Sequence, residues 1–250
     1  MTGHVPAGGG GFLIRAGNFL FRYRNYAFPA FLILLVALFP PQESGGAAWR
    51  MPVTLALVLA VLGEGLRAAV VGLAYIKRGG LDKKVYAERL VVEGLFAHCR
   101  NPLYVGNALL LAALLVLANN VWTVLIGGAF FVFAYAAIVA AEENYLRGKF
   151  GAEYDDYCRR VNRWIPDFRG LGETLGSMQF NWRRVILKEY SSIYSWIVVA
   201  LLIETVKAWR AESGAAQHLT ALGFIFAAAT IVFLAVYILK KSRLIVDRPL

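Results

Sequence analysis

Residues 102–143 read PLYVGNALLLAALLVLANNVWTVLIGGAFFVFAYAAIVAAEE. Two apolar runs, 104–118 and 121–141, are parted only by Asn119-Asn120. So short a break makes the two runs a tight helical hairpin. A bilayer core takes about 20 mostly apolar residues, with a range of roughly 17–25. Working outward, four more runs stand at 27–39, 51–76, 193–206 and 219–239. Pro40-Pro41 stops the first, and only Glu64 and Arg67 interrupt the second. The second, fourth and sixth runs in chain order are long enough to span, whereas the first, third and fifth must borrow flanking residues. The fold class this implies is all-α, a polytopic transmembrane helix bundle of about six spans.

Composition agrees. The 250 residues are 59% hydrophobic and 17% charged, against about 45–50% and 25% in soluble domains. Disorder, collagen and coiled coil are excluded by the aromatic and aliphatic load. Two cysteines make no disulfide framework, and without a CxxC or a His/Cys cluster no metal site is expected. The glycine-rich start, MTGHVPAGGGG, has no basic stretch leading into an apolar core, so no signal peptide is expected.

The net charge of +10 raises nucleic acid as a partner, but the placement of the charges argues for a membrane. With a cytoplasmic N-terminus, 22 of the 26 Lys and Arg fall on inside segments and three (Arg50, Lys207, Arg210) outside, with Arg67 inside a span. That is the positive-inside pattern, and it puts both termini in the cytoplasm. The polar stretch 142–190 is too polar to span. Its 180–190 part interleaves Phe180, Trp182, Val185, Ile186 and Tyr190 with Arg183, Arg184 and Lys188, the pattern of a helix lying in the interface. The expected organisation is a core over 1–170 and, over 171–250, that helix followed by a two-span appendage.

Chemistry gathers at one end of the hairpin. Asn101-Pro102 is a helix start, with Asn suited to the N-cap and Pro to the first position. The free N–H groups there favour an anion, and Arg100 adds a fork for a carboxylate; snorkelling to lipid phosphate is the simpler use of such an arginine. At the other end, Glu142-Glu143 oppose the helix dipole, if the helix ends there, and repel each other. Arg147 at i+4 or i+5 compensates them, or else a cationic ligand group does. An anion site beside a cation site suits a zwitterion. Glu64 and Arg67, at i and i+3 between glycines, form a register-fixing ion pair or line a cavity. Tyr154 and Tyr157 form an aromatic wall for a flat heterocycle or pack on the interface. Cys99 and Cys158 have no activating partner at a telling spacing. His98 adjoins Arg100.

The stretch 93–107, EGLFAHCRNPLYVGN, resembles the G-x-[FY]-x-x-x-R-[HN]-P-x-Y-x-G signature of the isoprenylcysteine carboxyl methyltransferase / phospholipid methyltransferase family of integral membrane enzymes. Glu142-Glu143, Leu146, Phe150-Gly151, Tyr154, Tyr157, Val161 and Arg163-Trp164-Ile165-Pro166 resemble its second block, with Asn162 where the family has proline. Gly63-Glu64-Gly65-Leu66-Arg67 is similar, more loosely, to its second-span motif. The likeness covers about 55–167. It implies S-adenosylmethionine (SAM) as methyl donor, in a cytoplasmic pocket lined by His98, Arg100, Asn101, Pro102 and Tyr104. Glu142 and Glu143 would face its amino group or sulfonium, and Tyr154 and Tyr157 would close it. Arg100, Glu143 and Arg67 are the expected catalytic residues, with Arg67 or Arg163 orienting an acidic group on a lipid or lipophilic acceptor drawn from the membrane. No nucleic acid or metal enters this reading. The rival classes are a sterol-type NADPH-dependent reductase and a non-enzymatic transporter or scaffold. The methyltransferase reading requires Arg100 and Glu143 to lie within one ligand length on one membrane face.

Overall fold

The computed structural model describes residues 11–43, 50–73, 85–211 and 215–246. Lys77, Arg78, Lys83, Lys84 and Arg248, which contribute to the charge asymmetry, lie outside the described residues, as does the glycine-rich start. The described chain is helical: α1 Phe12–Leu38, α2 Arg50–Leu73, α3 Pro102–Ala118, α4 Val121–Phe150, α5 Ala152–Arg160, α6 Leu171–Ser177, α7 Trp182–Arg210 and α8 Ala215–Lys241, with a short 3-10 turn at Gly94–Ala97. Five of these helices are long and apolar enough to cross a membrane. The 17-residue α3 stands at the lower limit for a span. The six expected spans are therefore α1, α2, α3, α4, α7 and α8, and the first and fifth do borrow flanking residues.

The hairpin turn forms as its sequence dictates. Asn119 closes α3 in the left-handed conformation (φ 51°), one of the few residue types that tolerates it. Asn120 caps α4, its side-chain oxygen accepting from the backbone N–H groups of Trp122 and Thr123. The turn is tied to the end of α1. Asn120 donates to the Pro40 carbonyl (3.1 Å) and the Thr123 hydroxyl to that of Phe39 (3.0 Å). The Pro40-Pro41 stop and the hairpin turn thus share one face.

Small residues set the helix crossings. Ala56, Ala60, Gly63 and Arg67 form one buried stripe of α2 against α3. A Cβ on Gly63 would stand 2.9 Å from the Gly106 carbonyl oxygen, so the two backbones touch. Without a hydrophobic drive between helices in lipid, such contacts and the packing they permit hold spans together. At Gly17 of α1 a Cβ would meet the Ala137 carbonyl oxygen at 1.9 Å. Above that crossing Phe28 and Phe31 pack on Phe130 and Phe131, with Phe31 stacked on Phe130 at 3.8 Å.

The stretch 180–190 is not a separate element. Trp182 opens α7, which runs unbroken to Arg210 because no glycine or proline interrupts it. Phe180 packs on Gly72, and the Asn181 amide donates to the Gly72 carbonyl (3.0 Å). Helix α7 then lies along α2 and α3, the Trp196 indole donating to the Leu110 carbonyl (2.9 Å). Helix α8 packs on α7 through Phe233, stacked near Tyr190 and Tyr194.

These crossings predict opposite outcomes for two glycines. Gly17→Ala overpacks a backbone contact and lowers stability by about 1–3 kcal/mol. Gly65→Ala, whose Cβ meets nothing within 4 Å, raises it by up to about 1 kcal/mol. Thermal unfolding of the detergent-purified variants checks both signs.

Candidate functional site

Helix α4 is 30 residues long, about 45 Å at 1.5 Å per residue, against a hydrocarbon core of about 30 Å. Glu142-Glu143 fall some 32 Å from its start on the same rise, where the chain leaves the apolar layer. The hairpin returns that end beside the first turn of α3. There the guanidinium of Arg100 lies 3.6 Å from the Glu143 carboxylate, both side chains being largely buried. The sequence requirement on this pair is met.

A second arginine closes on the same carboxylate. Arg163 grips Glu143 with a fork, Nε to Oε1 at 2.9 Å and Nη2 to Oε2. Helix α4 runs about two turns past Glu142-Glu143, to Phe150, so the dipole does not oppose them. The buried Glu143 still needs compensation, and it comes from a residue twenty positions away. Arg147 instead pairs with Asp155 (2.8 Å), both half-exposed, since α5 turns back from Gly151 and brings Asp155 within reach. Gly151 makes that turn at φ 54°, which suits glycine best. Glu142 accepts from the Tyr104 hydroxyl at 2.7 Å. Arg24 of α1 lies within electrostatic reach of both.

The two motif blocks zip together. The Arg100 amide donates to the Asn162 carbonyl (2.9 Å), and the Asp167 amide to that of His98 (3.0 Å). Asn101 is not the side-chain cap its position suggested. Its amide turns to the Arg163 carbonyl at 3.1 Å, and α3 opens without a side-chain cap on the buried Pro102. His98 spends both ring nitrogens on this seam, one at 2.6 Å from the Asp167 carbonyl oxygen and one at 2.9 Å from the Thr174 hydroxyl. Asn162, standing where the resembled motif has proline, contributes only its carbonyl, which proline also carries.

Tyr154 and Tyr157 face inward, 2% and 4% exposed, and the Tyr157 hydroxyl donates to the Phe96 carbonyl (2.7 Å). Burial drives both phenols above their ordinary pKa, with the neighbouring Glu143 adding to the rise at Tyr154, so both stay neutral donors. Burial likewise pushes the Cys99 thiol up, against smaller opposing pulls from the Asn101 backbone and Arg100. A protonated, buried thiol is a poor nucleophile.

Arg67 sits elsewhere in the bundle, in a network joining α2, α3 and α7. Its Nη1 donates to Asn107, and its Nη2 to Glu189 and to Ser192 (3.0 Å). Glu64 lies 3.5 Å from its Nε. Glu189, fully buried, escaped the sequence reading because its neighbours Lys188 and Tyr190 looked interfacial. Its signal lay in the stripe Val185, Glu189, Ser192, Trp196, Val199 and Ile203, spaced four and three residues apart. Arg24 follows Gly17, Leu20 and Phe21 on the inner stripe of α1 in the same way.

Comparison with known proteins bears on part of the chain. Residues 53–153 match the phospholipid methyltransferase family. The resemblance carried by the motifs is borne out over this segment. Residues 154–167 of the second block, with Tyr154, Tyr157 and Arg163, lie just beyond the matched stretch. Among similar proteins, the protein-S-isoprenylcysteine O-methyltransferase of Schizosaccharomyces pombe is 31% identical over 120 residues, covering 45% of this chain and 49% of that protein. The nickel-cobalt-cadmium resistance protein NccN of Alcaligenes xylosoxydans xylosoxydans is 26% identical over 47% of this chain and 62% of its own length. The cobalt-zinc-cadmium resistance protein CzcN of Cupriavidus metallidurans is 29% identical over 60% and 66%. The chain thus spans about half to two thirds of these relatives. No solved structure matches it significantly. Among the described residues no group of three or more His, Cys, Asp or Glu is placed to hold a metal ion, and nothing there explains the resistance names.

The clamp on Glu143 predicts a coupling. Arg163→Ala leaves a buried carboxylate with one distant partner and costs about 1–3 kcal/mol. Glu143→Gln in the same chain removes the stranded charge, so the double variant is less destabilised than the sum of the two singles. Thermal midpoints of the four proteins give the cycle. Alkylation followed by mass spectrometry checks the cysteines: Cys158, partly exposed, reacts about tenfold or more faster than Cys99 in the folded protein.

Proposed function

We propose that the chain is an integral membrane methyltransferase that moves a methyl group from SAM to a lipophilic or membrane-associated acceptor. The donor site is the α3–α4 mouth, on the cytoplasmic side under the positive-inside reading. The observation that carries this is the meeting of Arg100, just before the start of α3, with the buried Glu143 of α4, inside the segment that matches the phospholipid methyltransferase family. The residues present fit a donor that carries a carboxylate, an ammonium and an aromatic base. Arg100 keeps a buried Nε without a hydrogen-bond partner, an unspent donor for a carboxylate. The Arg100–Glu143 contact is too long for a hydrogen bond, so it is the one that parts most readily.

When bound, SAM supplies an electrophilic methyl on a sulfonium. The protein's part is positioning and field. Arg100 would hold the carboxylate end, and Glu143, backed by Arg163, the ammonium. Glu142, fixed by the Tyr104 hydroxyl, would lie on the sulfonium side. Tyr154 and Tyr157 would close the pocket over the base. The 98–101/162–167 seam holds these groups in register and excludes water, and His98 serves that seam. Arg163 is committed to Glu143, so orientation of the acceptor falls to Arg67.

Isothermal titration with the purified protein tests the donor site. SAM binds the wild type, and both Arg100→Ala and Glu143→Gln lose binding at least about a hundredfold while retaining the helical spectrum. Near-normal affinity in both variants removes these residues from the pocket. Stabilisation by NADPH and not by SAM in a thermal-shift comparison returns the reductase reading.

A further inference from the structure

We infer that Glu189 of α7 is a positioning residue for methyl transfer: it orients Arg67 towards the acceptor side of the site, and makes α7 part of the catalytic bundle. This rests on the methyltransferase reading above. Three helices hold the Arg67 guanidinium. Both N–H groups of Nη2 go to α7, one to the fully buried Glu189 and one to Ser192, while Nη1 points to Asn107 of α3. A guanidinium has five N–H donors in a rigid fork, so anchoring one prong on α7 fixes where the other aims. It aims at the α3 turn that carries the donor site. Asn107 is three residues beyond Tyr104, on the same helix face, and Tyr104 holds Glu142. The side chain of Arg67 also packs into the space left by Gly106, where a Cβ would lie 2.7 Å from its Cγ.

The depths agree. Asn107 and Glu189 stand five and seven residues in from the starts of α3 and α7, roughly 8–10 Å at 1.5 Å per residue, and Arg67 bonds to both. That is about two turns deeper than Arg100, where the polar end of a lipid-borne acceptor would meet a methyl group presented from the mouth. Charges at this depth are costly and face protein or a functional cavity. Glu189 belongs to a helix outside the matched segment.

The test measures initial rates of methyl transfer from tritium-labelled SAM into a total lipid extract of the source membranes, with titration of SAM binding in parallel. Glu189→Gln, nearly isosteric, raises the apparent KM for the extract about tenfold or more and leaves the SAM Kd within about twofold. Glu189→Asp recovers part of the loss, and Arg67→Lys combined with Glu189→Gln is no worse than either alone. A merely structural carboxylate would instead lower SAM affinity and activity together. If Glu189→Gln does not fold, Glu189→Asp and Arg67→Lys are held to the same split between acceptor KM and SAM Kd. Unchanged extract KM in the folded variants, or a parallel fall in SAM affinity, overturns the assignment of Glu189. A wild type that binds no SAM overturns the methyltransferase reading beneath it.

Discussion

A buried carboxylate where an apolar helix leaves the hydrocarbon layer is an unstable arrangement by itself. The adjacent Glu142 repels it, and burial gives it little water. Glu143 persists because Arg163 and Arg100 close on it from two other segments. That demand organises much around it. Arg100 must stand at the first turn of α3, which requires the tight Asn119-Asn120 hairpin. Arg163 must arrive from beyond α5, which requires the glycine turn at Gly151 and the backbone seam that lays 162–167 along 98–101.

The helices were legible because apolar runs of span length admit few alternatives, and because asparagine chemistry at 119–120 specifies both a left-handed stop and a cap. The mouth of the site was legible in part. Arg100, Glu142 and Glu143 announce themselves as charges at the ends of apolar helices, and the hairpin brings those ends together. Their partners were harder to see. Spacing reports only neighbours on one helix, so Arg147 at i+4 stood in for Arg163, whose approach depends on two intervening turns. Asn101 has the composition of a cap, yet the Arg163 carbonyl competes for its amide. Glu189 shows a different failure. A window rich in arginine and aromatics looks interfacial in bulk, while a four-three stripe inside it faces the core.

The polar groups within the bundle sort into two layers that differ in how their charge is met. At the mouth, Arg100 and Arg163 meet on Glu143, with one loose contact, between Arg100 and Glu143. About two turns deeper, Arg67 is held through both Nη groups by neutral and acidic partners from α3 and α7. A loose pair suits a group that must yield to a ligand, whereas a guanidinium anchored at both Nη groups suits one that must not move. Desolvation sharpens the distinction: removing one partner strands a charge in low dielectric, so the deeper network tolerates fewer changes than the mouth.

The placement of α7 follows from the same logic. Arg67 and Gly63 lie on the face of α2 that meets α3, but what α3 offers this buried cation is the amide of Asn107. A carboxylate must come from a third helix, since Glu64 shares a helix with Arg67 and reaches only its Nε. Once Glu189 supplies it, α7 cannot slide or rotate without separating buried opposite charges, and the Trp196–Leu110 bond and the Phe180–Gly72 contact fix its height. The helix that completes the charge balance of α2 therefore also packs along α2 and α3. Helix α8 has no such obligation and packs on α7 through aromatic rings, the Tyr194–Thr230 hydroxyl pair and Lys240 at the Leu187 carbonyl, so change in α8 should reach the site only through α7.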